Sequence, residues 1–214
     1  MKGQWIASKT NGLNNQEKLK MTDGQKKPKG AGKSSFELIN SDILMEVLPV
    51  KPGSVVLDLA CGKGIYSMFL SEIVGDTGLI YAVDLWEEGI RLIGKEIEEK
   101  NITNILPLLD DATAQIEIDD YSVDVCLMAT VLHDFEEMNK SGAVIEQVKT
   151  ILKPGGYLAV IEFKKIDGPP GPPMKIRLAE DDTEKMVSGY GFKKVKIVDI
   201  GEYNYLMIFK SIRS

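Results

Sequence analysis

Short apolar runs alternate with longer segments of helical periodicity through the middle of the chain, and this alternation restricts the possible folds more than any other feature. The segments between the runs place apolar residues three and four positions apart, which predicts helices. Strands that are apolar throughout and alternate with helices need a parallel sheet covered on both faces. We therefore expect an α/β domain of that kind. The predicted strands are 55–59, 79–84, 105–109, 123–128 and 157–163.

The last part of the chain follows a different pattern. A Gly/Pro-rich stretch, 168–173, and a predicted helix near 181–190 precede two apolar runs, 192–200 and 203–210, which only Gly201-Glu202 separates. A link this short joins antiparallel strands. We expect five parallel strands followed by an antiparallel hairpin. Two interpretations of 168–173 stay open, a semi-rigid connector and the edge of a lid.

The N-terminal region divides into two parts. Residues 1–33 hold eight lysines against Glu17 and Asp23 and show no apolar period. From Ser34 to Glu37 the sequence matches a capping box, in which a Ser hydroxyl and a Glu three positions later satisfy each other's free N–H groups. Apolar residues then follow at helical spacing as far as residue 48. We predict a flexible basic arm, 1–33, a helix that begins at this capping box, and one domain, 34–214.

Composition restricts the class of protein. A chain of 214 residues, 43% hydrophobic, can bury a core without metal or disulfide staples. No apolar run approaches the roughly 18 residues of a membrane span, and no signal-peptide pattern opens the chain. Cys61 and Cys126 lie in apolar segments, which favours a reducing, cytoplasmic location. Two cysteines and a single histidine are too few for a structural zinc site, so we expect no metal.

Acidic residues follow three successive predicted strands. Asp58 stands near the end of the first strand, Asp84 ends the second and Asp111 follows the third. Ligands of an open α/β sheet bind beyond the carboxyl ends of its strands, so these carboxylates are expected at one pocket. The small residues after Asp58 let the backbone approach a ligand, and the next helix N-terminus favours an anion. The pattern predicts a pocket for a nucleoside with a positively charged tail.

These segments resemble the class I S-adenosylmethionine-dependent methyltransferases, from about Ser34 to the end of the chain. The matching motifs are Val-Leu-Asp-Leu-Ala-Cys-Gly-Lys-Gly (56–64), Ala-Val-Asp-Leu (82–85), Asp-Asp-Ala (110–112) and Leu-Lys-Pro-Gly-Gly (152–156). Within the family, the chain is most similar to the small-molecule group that includes the ubiquinone/menaquinone-type and type 11-like enzymes. The resemblance implies a Rossmann-like seven-stranded sheet in the order 3-2-1-4-5-7-6, with the last strand antiparallel and helices on both faces.

The resemblance also implies a cofactor, S-adenosyl-L-methionine, with S-adenosyl-L-homocysteine as product, and roles for single residues. Asp58 would hold the amino group of the donor, Asp84 its ribose and Asp111 its adenine. Ala60 stands where the family has its first motif glycine, a departure that we expect to be tolerated because Ala adds only a methyl group. The implied cofactor-binding residues are Asp58, Ala60, Cys61, Gly62, Gly64, Asp84, Leu85, Asp111, Ala112 and Ala129.

His133, the only histidine, follows the fourth predicted strand at the same edge of the sheet. Two roles stay open for it. It is either a general base that deprotonates the acceptor, with Asp134 holding its ring, or a part of the pocket wall. Methyl transfer is an in-line displacement that needs no covalent enzyme intermediate, so positioning supplies most of the catalysis.

The expected function is methyl transfer to an oxygen, carbon or sulfur atom of a small molecule, with nucleic acid an unlikely partner because the domain is acidic. Oligomeric state stays open, and residues 1–48 are a second lid candidate. The alternatives are an RNA or protein methyltransferase recruited by the basic arm, and a non-catalytic module that binds an adenosyl ligand. A nicotinamide oxidoreductase is disfavoured because Ser67 replaces the third glycine of G-x-G-x-x-G. A P-loop at residues 30–34 is disfavoured because Lys27 replaces its first glycine.

Overall fold

The computed structural model describes residue 30 and residues 32–212. Within this range seven strands form one sheet in the order β3-β2-β1-β4-β5-β7-β6. The strands are β1 (Val55–Leu59), β2 (Leu79–Asp84), β3 (Ile105–Leu109), β4 (Val123–Ala129), β5 (Leu152–Phe163), β6 (Phe192–Asp199) and β7 (Asn204–Ser211). The α-helices are α1 (Ser41–Val47), α2 (Ile65–Val74), α3 (Glu87–Lys100), α4 (Leu132–Glu137), α5 (Ser141–Ile151) and α6 (Glu180–Ser188).

Strand direction follows the expected pattern. Leu57 of β1 lies opposite Tyr81 of β2 and Cys126 of β4, in parallel register on both sides. β7 is antiparallel to both of its neighbours, β5 and β6. The strand order and the antiparallel last strand confirm the expected Rossmann-like sheet. The link between β6 and β7 is longer than predicted, since residues 200–203 lie outside both strands.

The core has one layer on each face of the sheet, because successive strand residues point to opposite faces. Val56 packs in the layer that contains Leu70 of α2 and Ile93 of α3. Its neighbour Leu57 packs in the other layer, with Val148 of α5. Helices therefore cover both faces and leave the carboxyl ends of the parallel strands along one edge.

The single helix predicted from the capping box is wrong. A 3₁₀ turn at Phe36–Leu38 and an extended residue, Ile39, precede α1. Asn40 caps α1, since its side-chain oxygen accepts the backbone N–H groups of Asp42 and Ile43 at 3.0 and 3.1 Å. Asn is among the strongest N-cap residues, and this cap sets the start of the helix. The basic arm predicted over residues 1–33 falls almost wholly outside the described residues. No helix in the described part of the chain is long and apolar enough to cross a membrane.

Candidate cofactor site

A cavity opens at the carboxyl ends of β1 and β4. It contains Asp58, Ala60, Cys61, Gly62 and Ala129, five of the residues predicted to bind the cofactor. Gly64 lies behind the loop, buried against α3. The lining consists of Lys33, Ser34, Ser35, Asp58, Ala60, Cys61, Gly62, Lys63, Ile65, Tyr66, Ala129 and Thr130.

The loop after β1 brings its backbone to the cavity. Gly62 has φ +60°, and a Cβ added there would meet no atom within 4 Å, so this part of the backbone faces open space. At Gly64, which has φ +76°, a Cβ would lie 2.7 Å from Cγ1 of Ile93, so a larger side chain would push α3 away. Ala60 also adopts a left-handed conformation, φ +60°, which strains an alanine where glycine would be free of strain.

Asp84 ties the end of β2 to this loop. Its Oδ2 accepts the backbone N–H of Gly62 and its Oδ1 accepts that of Trp86, both at 2.7 Å. Burial raises the pKa of this carboxyl group. The backbone N–H of Leu85 also binds this carboxyl group. A carboxylate has about four lone-pair sites, so about one remains for a further donor, such as a ribose hydroxyl.

Asp58 forms the floor of the cavity. Its side chain is 1% exposed, and its Oδ2 accepts the hydroxyl hydrogen of Ser67 at 2.6 Å. Burial raises the pKa of Asp58 to about 7; the Ser67 hydrogen bond opposes this rise and the nearby Asp84 adds to it. A cation placed in the cavity would relieve both the burial and the repulsion, because an opposite charge stabilises the carboxylate form.

Leu85, Asp111 and Ala112, predicted to contact adenine, lie outside the lining of the cavity, after β2 and β3. Oδ1 of Asp111 accepts the backbone N–H and the hydroxyl of Thr113, each at 2.8 Å. Ala112 is buried, and its carbonyl accepts the side-chain amide of Gln147 at 3.1 Å. Leu85 is more than one-third exposed. The structure thus leaves an exposed apolar side chain beside the acids at this edge.

Glu162 binds the ring of His133, and Asp134, the residue predicted to hold it, lies farther from the ring. Nδ1 of His133 lies 2.8 Å from Oε2 of Glu162, and Oε1 of Glu162 accepts the backbone N–H of His133 at 3.0 Å. Both side chains are buried, His133 at 5% exposure and Glu162 at 0%. Nε2 of His133 lies 3.7 Å from Oδ2 of Asp134, beyond hydrogen-bond distance. The carboxylate at the end of β5 therefore fixes the ring at the beginning of α4.

Arg177 fixes the stretch 168–173. The sequence allowed two interpretations of this stretch, a semi-rigid connector and the edge of a lid. The side chain of Arg177 is 3% exposed and donates hydrogen bonds to the backbone carbonyls of five residues, at distances from 2.6 to 3.2 Å. Its guanidinium group also lies 5.7 Å from the ring centre of Phe163. These bonds favour the connector. The accepting residues are Lys164, Ile166, Gly168, Pro170 and Pro172.

Several polar residues of the site are not among those predicted from the sequence. Ser67, which replaces a glycine of the dinucleotide motif, donates its hydroxyl hydrogen to Asp58. The hydroxyl groups of Ser35 and Tyr66 lie 2.9 Å apart, within hydrogen-bond distance, although the two residues are 31 positions apart in sequence. Thr130 has φ +54°, which is rare for a β-branched residue, and no propensity rule predicts it. A detectable signal existed only for Ser67, which stands on the face of α2 that the helical period directs toward β1.

The residues present fit S-adenosylmethionine. Asp84 retains acceptor capacity for a ribose hydroxyl, and the open backbone at Gly62 leaves space for a ligand. Asp58 presents a buried carboxyl group to a ligand that carries an ammonium group and a sulfonium. When bound, this cofactor supplies a methyl carbon activated by the sulfonium.

Comparisons with known proteins agree with this fit. The model of the ubiE/COQ5 methyltransferase family matches residues 34–172. A SAM-dependent methyltransferase of Aquifex aeolicus superposes with a TM-score of 0.76 at 27% identity, over 83% of this chain and 92% of that one. The comparisons confirm the resemblance, the methyltransferase class and the implied cofactor.

The curated relatives differ in acceptor. A fibrillarin-like rRNA/tRNA 2'-O-methyltransferase of Thermococcus sibiricus is 30% identical over 156 residues, 72% of this chain and 65% of that protein. The ubiquinone/menaquinone biosynthesis C-methyltransferase UbiE of Hydrogenovibrio crunogenus is 30% identical over 127 residues, 58% of this chain and 48% of that protein. The chain thus spans less than two thirds of the length of either.

The expectation that nucleic acid is an unlikely partner is therefore wrong, because several relatives are fibrillarin-like rRNA/tRNA methyltransferases. The acidic charge of the domain was a poor guide, since it says nothing of a local binding surface. Over the match to residues 34–172, the chain belongs to the ubiE/COQ5 methyltransferase family.

Proposed function

We propose that this protein transfers a methyl group from S-adenosylmethionine to a small-molecule acceptor. The observation that carries the proposal is the match of the ubiE/COQ5 family model to residues 34–172, which contain both Asp58 and Asp84. The non-catalytic alternative, a module that only binds an adenosyl ligand, is an outcome of the test below.

In this proposal the chain's own residues hold and orient the donor. Asp84 accepts a hydrogen bond from a ribose hydroxyl with the acceptor capacity that the backbone N–H groups of Gly62, Leu85 and Trp86 leave unused. Asp58 accepts a hydrogen bond from the ammonium group of the donor, and Leu85 and Asp111 contact its adenine. Fixing the donor and the acceptor in one geometry supplies roughly 7–11 kcal/mol of the barrier reduction.

Apolar side chains near the ends of β4 and β5 support a small acceptor. Met138, Ile166 and Met174 are each more than one-third exposed. The first follows α4, and the last begins a 3₁₀ turn, Met174–Ile176, that lies against α4. None of the three lines the cofactor cavity, so we propose that they contact a part of an apolar acceptor that extends beyond it.

His133 is the proposed general base for an acceptor that must lose a proton. Glu162 orients its ring through Nδ1, which leaves Nε2 as the nitrogen that would take the proton. Such a base contributes roughly 10²–10⁴-fold. The competing role, a wall of the pocket, predicts turnover that is unchanged in His133→Ala at every pH.

RNA is the second candidate acceptor. The fibrillarin-like relatives favour it, and so do the eight lysines of residues 1–33, because lysine clusters supply most of the affinity for phosphate. A 2'-hydroxyl is also an oxygen nucleophile, so the same in-line displacement would serve it.

The test combines binding and turnover. Calorimetry with S-adenosylhomocysteine should show binding that Asp84→Asn weakens roughly 10- to 100-fold, as expected when hydrogen bonds to a charged group are lost. Asp76→Asn is the matched control, since Asp76 is exposed before β2 at the opposite edge of the sheet. If Asp84→Asn binds like the parent, the proposed cofactor site is wrong.

Turnover is measured with donor labelled in its methyl group. One set of reactions contains small phenols, quinols and thiols, and the other contains total RNA at low and high salt. Label in a small product supports the proposal. Label in RNA would identify RNA as the acceptor. Binding of the donor without label in any acceptor favours the non-catalytic module.

A cytoplasmic location belongs to the same proposal. Cys61 and Cys126 are both free, and Cys126 is buried. Burial raises the pKa of each thiol well above its ordinary value, so Cys61 stays protonated beside the donor. Unpaired cysteines of this kind suit a reducing compartment.

A further inference from the structure

The cofactor cavity has a wall that comes from outside the sheet motifs. Residues 33–35, here called the N-terminal wall, line the same cavity as Asp58 and Lys63. The floor holds one buried acid, Asp58, whereas Lys33 of the wall and Lys63 of the loop are exposed. The cavity therefore carries an acid inside and two positive groups among its exposed lining.

Contacts with α2 fix the position of the N-terminal wall. Ser35 is buried, and its hydroxyl lies 2.9 Å from that of Tyr66. The ring of Phe36 packs edge-to-face on Tyr66, with ring centres 5.1 Å apart, and lies 5.3 Å from the ring centre of Phe69. Aromatic pairs at these separations are attractive beyond the apolar area that they bury. The wall is thus bound to the helix that begins at the cofactor loop.

Local hydrogen bonds fix the backbone conformation of Lys33 and Ser34, which line the cavity. The backbone N–H of Lys33 donates to the carbonyl of Gly30 at 3.0 Å, which closes a turn. Oγ of Ser34 accepts the backbone N–H of Phe36 at 3.2 Å. A hydroxyl that accepts one bond still has its own hydrogen to donate, so Ser34 can bind an anion.

We propose that Lys33 and Lys63, with the hydroxyl of Ser34, bind the carboxylate at the amino-acid end of the methyl donor. The inference rests on the proposed function. The donor carries its ammonium group and its carboxylate on one carbon, and the cavity offers an acid for the first and two lysines for the second. The N-terminal wall is therefore part of the donor site.

The wall also accounts for the sequence Gly30-Ala31-Gly32-Lys33-Ser34. It is no P-loop, because Lys27 stands where the first glycine of that motif belongs. Its lysine and serine nevertheless line a cavity in which an anionic group is expected. A phosphate of an acceptor would satisfy the same two lysines, and the experiment separates the two sources.

The experiment compares two ligands that differ only in the amino-acid end. Calorimetry measures the affinity of the full chain for S-adenosylhomocysteine and for 5'-methylthioadenosine, which lacks the amino group and the carboxylate. The variants are Lys33→Met, Lys63→Met and the double variant, with Lys33→Arg plus Lys63→Arg as the charge-preserving pair. Lys51→Met is the control, because Lys51 is an exposed lysine just before β1, at the opposite edge of the sheet.

For S-adenosylhomocysteine we expect a loss of about threefold for each single variant and about tenfold for the double variant, the usual range for solvent-exposed charge pairs. The affinity for 5'-methylthioadenosine should stay within about twofold of the parent. The arginine pair should bind like the parent. Added salt should weaken the binding of S-adenosylhomocysteine to the parent and leave the double variant nearly unchanged.

Two results would overturn the proposal while the proposed function stands. One is an unchanged affinity of the double variant for S-adenosylhomocysteine. The other is an equal loss for both ligands, which would mean that the lysines support the shape of the cavity. A third titration of the same variants, with total RNA, tests the acceptor phosphate. A loss confined to RNA binding would assign the lysines to that phosphate instead and overturn the proposal. If the parent binds neither ligand, the proposed function itself is wrong, and the inference that rests on it is wrong as well.

Discussion

Glu162 binds both the ring and the backbone of His133: its Oε2 lies 2.8 Å from Nδ1, and its Oε1 accepts the backbone N–H at 3.0 Å. The two residues belong to different elements, the end of β5 and the first turn of α4. One buried carboxylate therefore orients the only imidazole and satisfies a free N–H group at a helix N-terminus.

Replacing Glu162 with Ala should lower the free energy of unfolding by about 2–4 kcal/mol, because the ring Nδ1 and the backbone N–H of buried His133 both lose this hydrogen-bond partner. Urea unfolding at neutral pH measures the change. Glu146→Ala, at an exposed position of α5, is the control and should stay within about 0.5 kcal/mol of the parent. A loss below 1 kcal/mol for Glu162→Ala would show that His133 does not depend on this carboxylate.

Asp58→Asn should make the cofactor-free protein more stable at pH 8 and weaken its binding of S-adenosylhomocysteine. The folded pKa of Asp58, about 7, lies above the ordinary 3.8, so the protonated form is favoured in the folded state. Its contribution to stability is complete below pH 4 and is lost as pH rises through 7, at most about 4 kcal/mol in all. Thermal unfolding from pH 4 to 8 should therefore show a smaller decline in the variant.

Ser67→Ala should shift the midpoint of the pH dependence of cofactor affinity to a more alkaline pH. The Ser67 hydroxyl stabilises the carboxylate form of Asp58, so its removal raises the pKa of Asp58 further. The affinity of the parent for S-adenosylhomocysteine should rise from pH 6 to about 7 and then level off, because the ammonium group prefers the carboxylate. Calorimetry at several pH values measures both midpoints. Ser188→Ala, at the end of α6, serves as control, and coincident curves for Ser67→Ala and the parent would contradict the prediction.

Ala60→Gly should stabilise the fold by about 0.5–1 kcal/mol. Ala60 has φ +60°, a conformation that costs an alanine roughly 1–2 kcal/mol, and glycine recovers most of this despite its greater freedom in the unfolded chain. Ala143→Gly, inside α5, provides the opposite control and should destabilise by roughly 0.5–1 kcal/mol. Denaturant unfolding of both variants checks the signs, and a destabilised Ala60→Gly would mean that the methyl group packs favourably.

Arg177→Lys should release the 164–173 loop. The planar guanidinium group supplies donors to five carbonyls, whereas an ammonium group has three donors on one atom. Limited trypsin digestion should cut after Lys164 or Lys165 much faster in this variant than in the parent. Lys175→Arg keeps a trypsin site nearby and serves as control. Equal digestion rates would show that other contacts hold the loop.

The sheet was predictable from the sequence because its signals are local. Each parallel strand is a short apolar run followed by a turn and a helical period, and no distant contact is needed to recognise it. The N-terminal helix was mispredicted because two local signals compete there. Ser34 and Glu37 match a capping box, but Ser35 turns its hydroxyl toward Tyr66, 31 positions away, and Asn40 caps the helix instead.

Only those features of the candidate site that follow from the strand topology were predictable from the sequence. Parallel strands end at one edge, and this alone brings Asp58 and Asp84 together around the loop at Gly62. Partners from distant segments gave no signal. Asp134 was chosen for His133 because it is adjacent in sequence, whereas Glu162, 29 residues away, is adjacent in space.

The position of β7 has a consequence for the folding of the protein. β7 lies between β5 and β6, although it follows both in sequence, and β6 pairs with no other strand among the described residues. Until β7 inserts, both β5 and β6 have an unpaired edge, and Val195 and Ile197 lie on a strand that stays exposed even after folding. Unpaired strand edges of this kind promote aggregation. A chain in which β7 is lost or docks late would therefore leave the edges of both β5 and β6 open to pairing with other chains.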